Sequence, residues 1–456
     1  MKIRKLSALS KEELSAILDR GGGVSEKVKT GVTEILREVK KRGEVAVLEF
    51  TQKFDGVDLS ALEVSAAEFS AVDENSAEFG FLREAAKNIE KFHANQLENI
   101  RSEKKVSPAD GIEIWREWRP IQKVGIYAPG GLAIYPSSVL MQAIPAKIAG
   151  CSEIILATPA FAGAGSPNFA GTGSLNFAGA GSPNFAGEIS TAVIAAAKIS
   201  GVTKIIKCGG AQAIGALYYV YNVQKITGPG NPWVTEAKKQ LSDKVAIDMP
   251  AGPSEILILA DDSAVPKFVA ADLLSQAEHA ASSKSILVTT SEKLAEEVEK
   301  EVEKQMSELK RDVILKEAWR LGGEILIAKS LEEAIDFTNE YAPEHLEICI
   351  ENSESILPKI VNAGSVFLGN FASEPAGDFA TGANHVLPTA GFAKNFSPLS
   401  VESFGKKIQI QKISKKGLSA IRGVCEKFGE VEGLDAHAKS ISKRFEEEEI
   451  PAEAPE

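Results

Sequence analysis

Between Val124 and Leu368, short apolar runs rich in β-branched residues alternate with stretches whose apolar residues recur at helical spacing. A first series of runs falls at 124–129, 153–158, 204–208 and 225–228, and a second at 256–260, 285–290, 324–328, 345–350 and 365–368. Strands separated by a helix pair in parallel, because only a crossover of a dozen or more residues brings the chain back in the same direction. The alternation therefore predicts two open α/β sheets. Sites in such folds lie where strands end and loops converge.

The flanks read differently. A short charged helix over Ser10–Leu18, closed by Gly21-Gly22-Gly23, predicts an arm leading into the first domain. From Val28 to Glu103 apolar residues recur at helical spacing among many charges, which predicts a mainly helical layer. At 456 residues the chain has room for two substantial domains and smaller appendages.

A formal net charge of −12 argues against a general nucleic-acid surface, which needs a basic patch. No apolar run approaches the roughly 18 residues of a membrane span, and the basic start Met-Lys-Ile-Arg-Lys lacks the apolar core of a secretory signal. The four cysteines, Cys151, Cys208, Cys349 and Cys425, form no Cys-x-x-Cys pair, as expected of reduced cytosolic thiols. Cys151 reads as a small packing residue between a helix end and a strand. The acidic run from Glu446 predicts a solvated, disordered tail over 446–456.

Residues 163–187 repeat an octapeptide three times, with Gly-Ser-Pro-Asn-Phe-Ala-Gly at 165–171 and close copies at 173–179 and 181–187. Three copies poor in core residues predict an expanded surface loop rather than a solenoid. Its glycine pairs do not complete a dinucleotide fingerprint, since Asn168, Asn176 and Asn184 stand where the third glycine belongs.

Chemistry concentrates around the histidines, of which there are only five. Four sit beside a carboxylate or amide: Gln276-Ala-Glu-His279, Glu344-His345, the stretch from Asp378 to His385, and Asp435-Ala-His437. Imidazole with carboxylate suits zinc. Gln276 and His279 share one face of a predicted helix. Pro343 breaks the next helix and leaves Glu344 and His345 in a turn entering a strand, where both are suited to take protons near neutrality. A long glycine-rich loop follows the strand 365–368 and carries Glu374, Asp378, Asn384 and His385; loops of that length are usually functional. Four glycine-rich turns, at 129–131, 209–212, 228–231 and 250–254, follow strands and leave room for a ligand to approach the backbone.

The segments Pro250-Ala-Gly-Pro-Ser-Glu, Leu273-Leu-Ser-Gln-Ala-Glu-His, Tyr341-Ala-Pro-Glu-His-Leu and Asn384-His-Val-Leu-Pro-Thr together resemble the L-histidinol dehydrogenase family, with the likeness running from about Val28 to Ser442. The resemblance implies an NAD-dependent, zinc-binding enzyme that oxidises L-histidinol through the aldehyde to L-histidine, the last step of histidine biosynthesis. It also implies a cytoplasmic homodimer with shared active sites and one Zn2+ per subunit. Gln276, His279 and Asp378 would hold zinc, with His437 supplied by the partner subunit. Glu344 would activate water and His345 would act as base. Ser254, His385 and Glu432 match substrate positions alongside Gln276, His279, His345, Asp378 and His437, and Tyr127, Gln212 and Asn231 match positions beside NAD.

The same resemblance divides the chain into an arm (1–28), a discontinuous first α/β domain holding substrate and zinc (29–126 and 254–397), a second, NAD-binding α/β domain (127–253), a C-terminal dimerisation segment (398–445) and the tail. Both α/β domains would be Rossmann-like without the standard glycine fingerprint. The repeat and an apparently shortened stretch at 218–224 depart from the family. A related dehydrogenase acting on a sulfonated or other small polyol, a zinc hydrolase using Glu344 on an ester or amide, and a non-catalytic zinc protein are the rival readings.

Overall fold

The computed structural model describes residues 3–20, 23–101, 103–130, 134–161, 187–249 and 252–446. The octapeptide copies, apart from Gly187, and the tail beyond Glu446 lie outside the described residues. The chain divides into two compact units, one formed by residues 1–97 and 120–404, the other by 98–119 and 405–456.

Thirteen strands occur among the described residues: β1 (Ile3–Lys5), β2 (Ile112–Pro120), β3 (Lys123–Tyr127), β4 (Glu153–Thr158), β5 (Lys204–Lys207), β6 (Lys225–Thr227), β7 (Ala246–Ile247), β8 (Glu255–Ala260), β9 (Lys284–Thr289), β10 (Gly323–Ile327), β11 (His345–Cys349), β12 (Ser365–Leu368) and β13 (Gly405–Ile413). The larger unit holds a six-stranded sheet of order β1-β10-β9-β8-β11-β12 and a five-stranded sheet of order β5-β4-β3-β6-β7. Every pairing in both is parallel. Two parallel α/β sheets are what the alternation predicted, and the strands β8 and β9 are buried as continuous apolar runs, as parallel strands covered on both faces must be.

Helices Pro266–Ala277, Glu292–Met306 and Asp312–Gly322 cover one face of the six-stranded sheet, with Leu273, Val298 and Leu315 inside the core. Leu331–Tyr341 covers the other, joined there by Leu14, Ile17 and Leu18 of the N-terminal segment. That segment does contain the predicted helix, Lys11–Leu18, capped by Ser10 and Glu13 in a reciprocal box. It is more than an arm, however. β1 adds a sixth strand against β10, a three-residue element too short to show any period in sequence.

A second departure concerns the helical layer. In Glu26–Arg42 the apolar stripe Val32, Ile35, Leu36 and Val39 is set at i, i+3, i+4 and i+7. This stripe packs with Ile214, Leu217 and Val234 in the core of the five-stranded sheet, although the family-based division grouped the stretch with the other sheet. Amphipathic periodicity shows that a helix has a buried face but not which sheet receives it.

In the smaller unit β2 pairs with β13, followed by helices Lys415–Val431 and Asp435–Ser442. Among the described residues no helix is long and apolar enough to cross a membrane.

Candidate active site

β8 and β11 lie side by side with His345 level with Ile256, so the segments entering both strands share one end of the sheet. Tyr341 ends its helix, Ala342 turns with φ +52, and Pro343 leads to Glu344, immediately before β11. Glu344 Oε2 accepts the Glu255 backbone N–H at 2.9 Å. His345 Nδ1 stands 3.1 Å from the Glu255 carbonyl oxygen. A carbonyl can only accept, so Nδ1 carries the hydrogen and Nε2 is turned the other way. There it meets Asp378 Oδ1 at 3.5 Å and Glu374 Oε1 at 3.9 Å. The cluster thus sits at the amino ends of β8 and β11, opposite to where open α/β sheets usually bind ligands.

His279, Glu374 and Asp378 each offer a ligand atom, all within 4.8 Å of one another. His279 follows the end of helix Pro266–Ala277, just beyond Gln276, whose amide is fully buried with neither oxygen nor nitrogen hydrogen-bonded among the described residues. Glu374 and Asp378 project from a helix, Glu374–Phe379, that interrupts the predicted loop; Pro375 suits its first turn. Glu374 is held by Ser275 Oγ donating at 3.1 Å, and its backbone N–H donates to Glu347 Oε1 at 2.8 Å. Its participation in the cluster was missed, since only the fold carries Ser275 and His279 to it.

Charge explains the titration of this group. Burial pushes Glu344 and Glu374 up to about 8 each. For His345 burial opposes the charged ring, but the carboxylates of Glu344, Asp378 and Glu374 outweigh it and raise it to about 10. Asp378 is held down at about 2: burial works against it, while the hydrogen bond to His345 and the charges of His385 and His345 prevail. His279 is lowered, chiefly by burial. The imidazole of His279 and the carboxyl groups of Glu374 and Asp378 form a hard and borderline donor set that fits zinc, and the orphaned Gln276 amide, three residues before His279, is a further neutral donor.

His385 Nδ1 lies 3.0 Å from the Asp378 carbonyl oxygen and Nε2 lies 3.4 Å from Ser138 Oγ, which places it beside the cluster. Asn384 is a structural neighbour, donating to the Met141 carbonyl at 2.6 Å. Ser254, half-buried, precedes Glu255 at the same sheet end. The remaining histidine of the unit, His93, is enclosed between Gln96 and Asn384. Cys151 is a packing residue, its thiol pushed up to about 12 by burial. Glu432 and His437 belong to the smaller unit, exposed, at the end of Lys415–Val431 and on Asp435–Ser442.

A cavity of about 410 Å³ opens at the carboxyl ends of the five-stranded sheet. Here β3 is followed by β4 on one side and later by β6 on the other, the switch point at which such sheets leave a crevice. Its lining includes Tyr127, Gln212 and Asn231, so the three expected cofactor residues converge. Tyr127 accepts the Gly210 N–H at 3.2 Å. Asn231 caps helix Pro232–Leu241, accepting from Trp233 and Val234. Asp55, unforeseen in sequence, also lines the cavity and accepts the Gly209 N–H at 3.0 Å; burial raises its carboxyl to about 6.

The scaffold is thus a pair of parallel α/β sheets, one with a switch-point cavity and the other with three groups that could hold a metal ion beside the buried Glu344 and His345, the layout of a two-site enzyme. The family model described as histidinol dehydrogenase matches residues 18–445. Histidinol dehydrogenase of Methanosarcina mazei is 45% identical over 98% of both chains, and that of Listeria monocytogenes 44% identical over 93% of this chain and 94% of its own. The crystal structure of histidinol dehydrogenase from Elizabethkingia anophelis superposes with a TM-score of 0.85 at 40% identity, covering 96% of each chain. The chain belongs to the histidinol dehydrogenase family of oxidoreductases.

Proposed function

We propose that the protein oxidises L-histidinol to L-histidine, using two NAD molecules in turn, with zinc bound by Gln276, His279 and Asp378 and completed by His437 of the partner subunit in a homodimer. The observation that carries this reading is the meeting of the His279–Glu374–Asp378 cluster with His345 Nε2, supported by the buried, unpartnered amide of Gln276 three residues before His279. Zinc bound there would fix the substrate imidazole and amine and offset the carboxylate charge that keeps His345 protonated.

His345 is fixed by its Nδ1–H on the Glu255 carbonyl, leaving Nε2 to accept the alcohol proton, while NAD, when bound, would supply the hydride acceptor. Glu344 is buried beside it and tuned upward, the state in which a carboxylate near neutrality can draw a proton from water attacking the aldehyde. Once His345 has released its first proton to solvent, it can take a second from the hydrate, whose hydride a second NAD would accept. Ser254, His385 and Glu432 contact the substrate in this reading. The cavity lined by Tyr127, Gln212 and Asn231 receives NAD, supported by its place at the switch point and its backbone-lined floor at Gly209 and Gly210.

Purified protein supplied with zinc, NAD and histidinol should form two NADH per histidinol consumed. Oxidation of a sulfonated polyol with histidinol left untouched, or hydrolytic turnover without nicotinamide, would overturn the assignment.

A further inference from the structure

The Glu255 peptide holds both members of the acid–base pair, donating its N–H to Glu344 and accepting from His345 Nδ1. Its side chain is tied down in turn. Arg20 Nε stands 2.8 Å from Glu255 Oε2, and both side chains are almost wholly excluded from solvent. Tyr341 Oη lies 3.3 Å from the same carboxylate, and Ala390 N–H donates to its other oxygen at 2.6 Å. Arg20 Cζ also lies over the Tyr341 ring, 3.4 Å from its centroid, and Nη2 donates to the Tyr341 carbonyl at 2.6 Å.

Backbone conformation supplies an independent observation. Only three non-glycine residues among the described ones have positive φ, namely Asn222, Ala342 and Ala390. Two of them flank this carboxylate, and alanine has no side-chain hydrogen bond to compensate a left-handed backbone. Such strain persists only where surrounding contacts over-determine it. Ala342 follows the Tyr341 carbonyl that Arg20 grips and stands two residues before Glu344; Ala390 is the residue whose N–H bonds Glu255.

We infer that Arg20, supplied by the N-terminal segment, is a positioning residue for the acid–base pair: by gripping Tyr341 and Glu255 together it holds the left-handed turn at Ala342 and the Glu255 peptide where Glu344 and His345 are presented to substrate. This rests on the reading of Glu344 and His345 as the catalytic pair. It gives the arm a part in the chemistry rather than in the sheet alone.

The test uses the full-length zinc enzyme. Arg20→Lys keeps a cation opposite Glu255 but loses the guanidinium over the Tyr341 ring, while Arg20→Met combined with Glu255→Gln removes both charges so that neither is left buried and unpaired. Both variants should keep zinc content and the KM for histidinol within about twofold while kcat falls roughly 10- to 100-fold, the signature of misplaced groups rather than lost binding. Adding Ala342→Gly to Arg20→Lys should recover at least about threefold of that kcat, because glycine takes the left-handed turn without strain. A zinc-loaded Arg20→Lys enzyme with wild-type kcat overturns the inference, as does a loss that tracks zinc content or that Ala342→Gly leaves unchanged; if the double variant does not fold, Arg20→Lys decides. Glu344→Gln and His345→Asn serve as references. If they retain full activity, the catalytic reading itself falls; if they are inactive while the Arg20 variants run at full rate, only the positioning role does.

Discussion

Glu344 and His345 are neighbours in sequence, yet one accepts from a backbone N–H and the other donates to a backbone C=O of the same residue, Glu255. In the proposed mechanism their roles separate accordingly. Glu344→Gln keeps the shape and the acceptor for the Glu255 N–H but removes the base, so aldehyde oxidation should fall on the order of 100-fold while conversion of histidinol to the aldehyde falls less than about tenfold. Stopped-flow measurement of NADH formation from each substrate checks this, and equal losses in both halves would contradict it. Asp55 offers a pH test away from the ligand cluster. Its folded value of about 6 lies above the ordinary carboxyl value of 3.8, so the folded protein holds this proton more tightly than the unfolded chain. The contribution of Asp55 to stability is therefore highest below the unfolded value, declines as pH rises towards 6 and is flat above it, a difference of up to ~3 kcal/mol. In the apo protein Asp55→Asn should gain stability relative to wild type between pH 4 and 6, followed by urea unfolding at each pH. A difference that does not change with pH would remove the titration from Asp55.

At the scale of elements, the alternation of apolar and helical stretches made both sheets legible, and Pro343 correctly marked the turn that delivers Glu344 and His345. Gln276 and His279 were legible as candidates from their spacing of three, but the helix expected to carry both ends at Ala277, so His279 reaches the cluster from the turn that follows rather than from a shared helix face. β1 was not, because three residues carry no period; Glu374 was legible as part of a functional loop, but neither its helix, which looks like loop in a stretch of Gly, Pro and Ala, nor its place beside His279 was. Arg20 was hidden for a deeper reason: its partner Tyr341 lies 321 residues away, and no local pattern encodes a pairing that only the folded sheet creates. The turn after β6 shows the same long reach on a smaller scale. Lys238, fully buried in helix Pro232–Leu241, donates to the Gly228 carbonyl at 2.9 Å and pairs with Asp248 at 2.6 Å, while Asp248 accepts the Gly228 N–H at 2.7 Å. Gly228, with φ +123, is thus clamped on both sides of its peptide, three residues before Asn231. Lys238→Met leaves Asp248 buried and unpaired and should cost about 3–5 kcal/mol in urea unfolding. Restoration of most of this by Asp248→Asn in the same chain would assign the loss to the orphaned charge.

For the molecule as a whole, the proposed zinc set is divided between two places in the chain. Gln276, His279 and Asp378 stand in the larger unit, whereas His437 lies exposed in the smaller one. On the preceding helix, Lys415–Val431, the apolar side chains Val424, Phe428 and Val431 are exposed at spacings of four and three, a stripe on one helix face of the kind that a second copy of the chain would cover. In a twofold-symmetric dimer whose sites exchange His437, a His437→Ala subunit retains Asp378, and an Asp378→Ala subunit retains the histidine that the first one needs. Each variant alone should lose zinc and activity. After unfolding and refolding an equal mixture, random pairing makes half the dimers mixed, and each mixed dimer holds one intact and one doubly broken site, so activity should return to about a quarter of wild type. Zinc content should rise in step, which separates reassembled sites from residual activity of either parent. If every subunit instead used its own His437, both sites of the mixed dimer would each lack one ligand, and the mixture would be as inactive as its components.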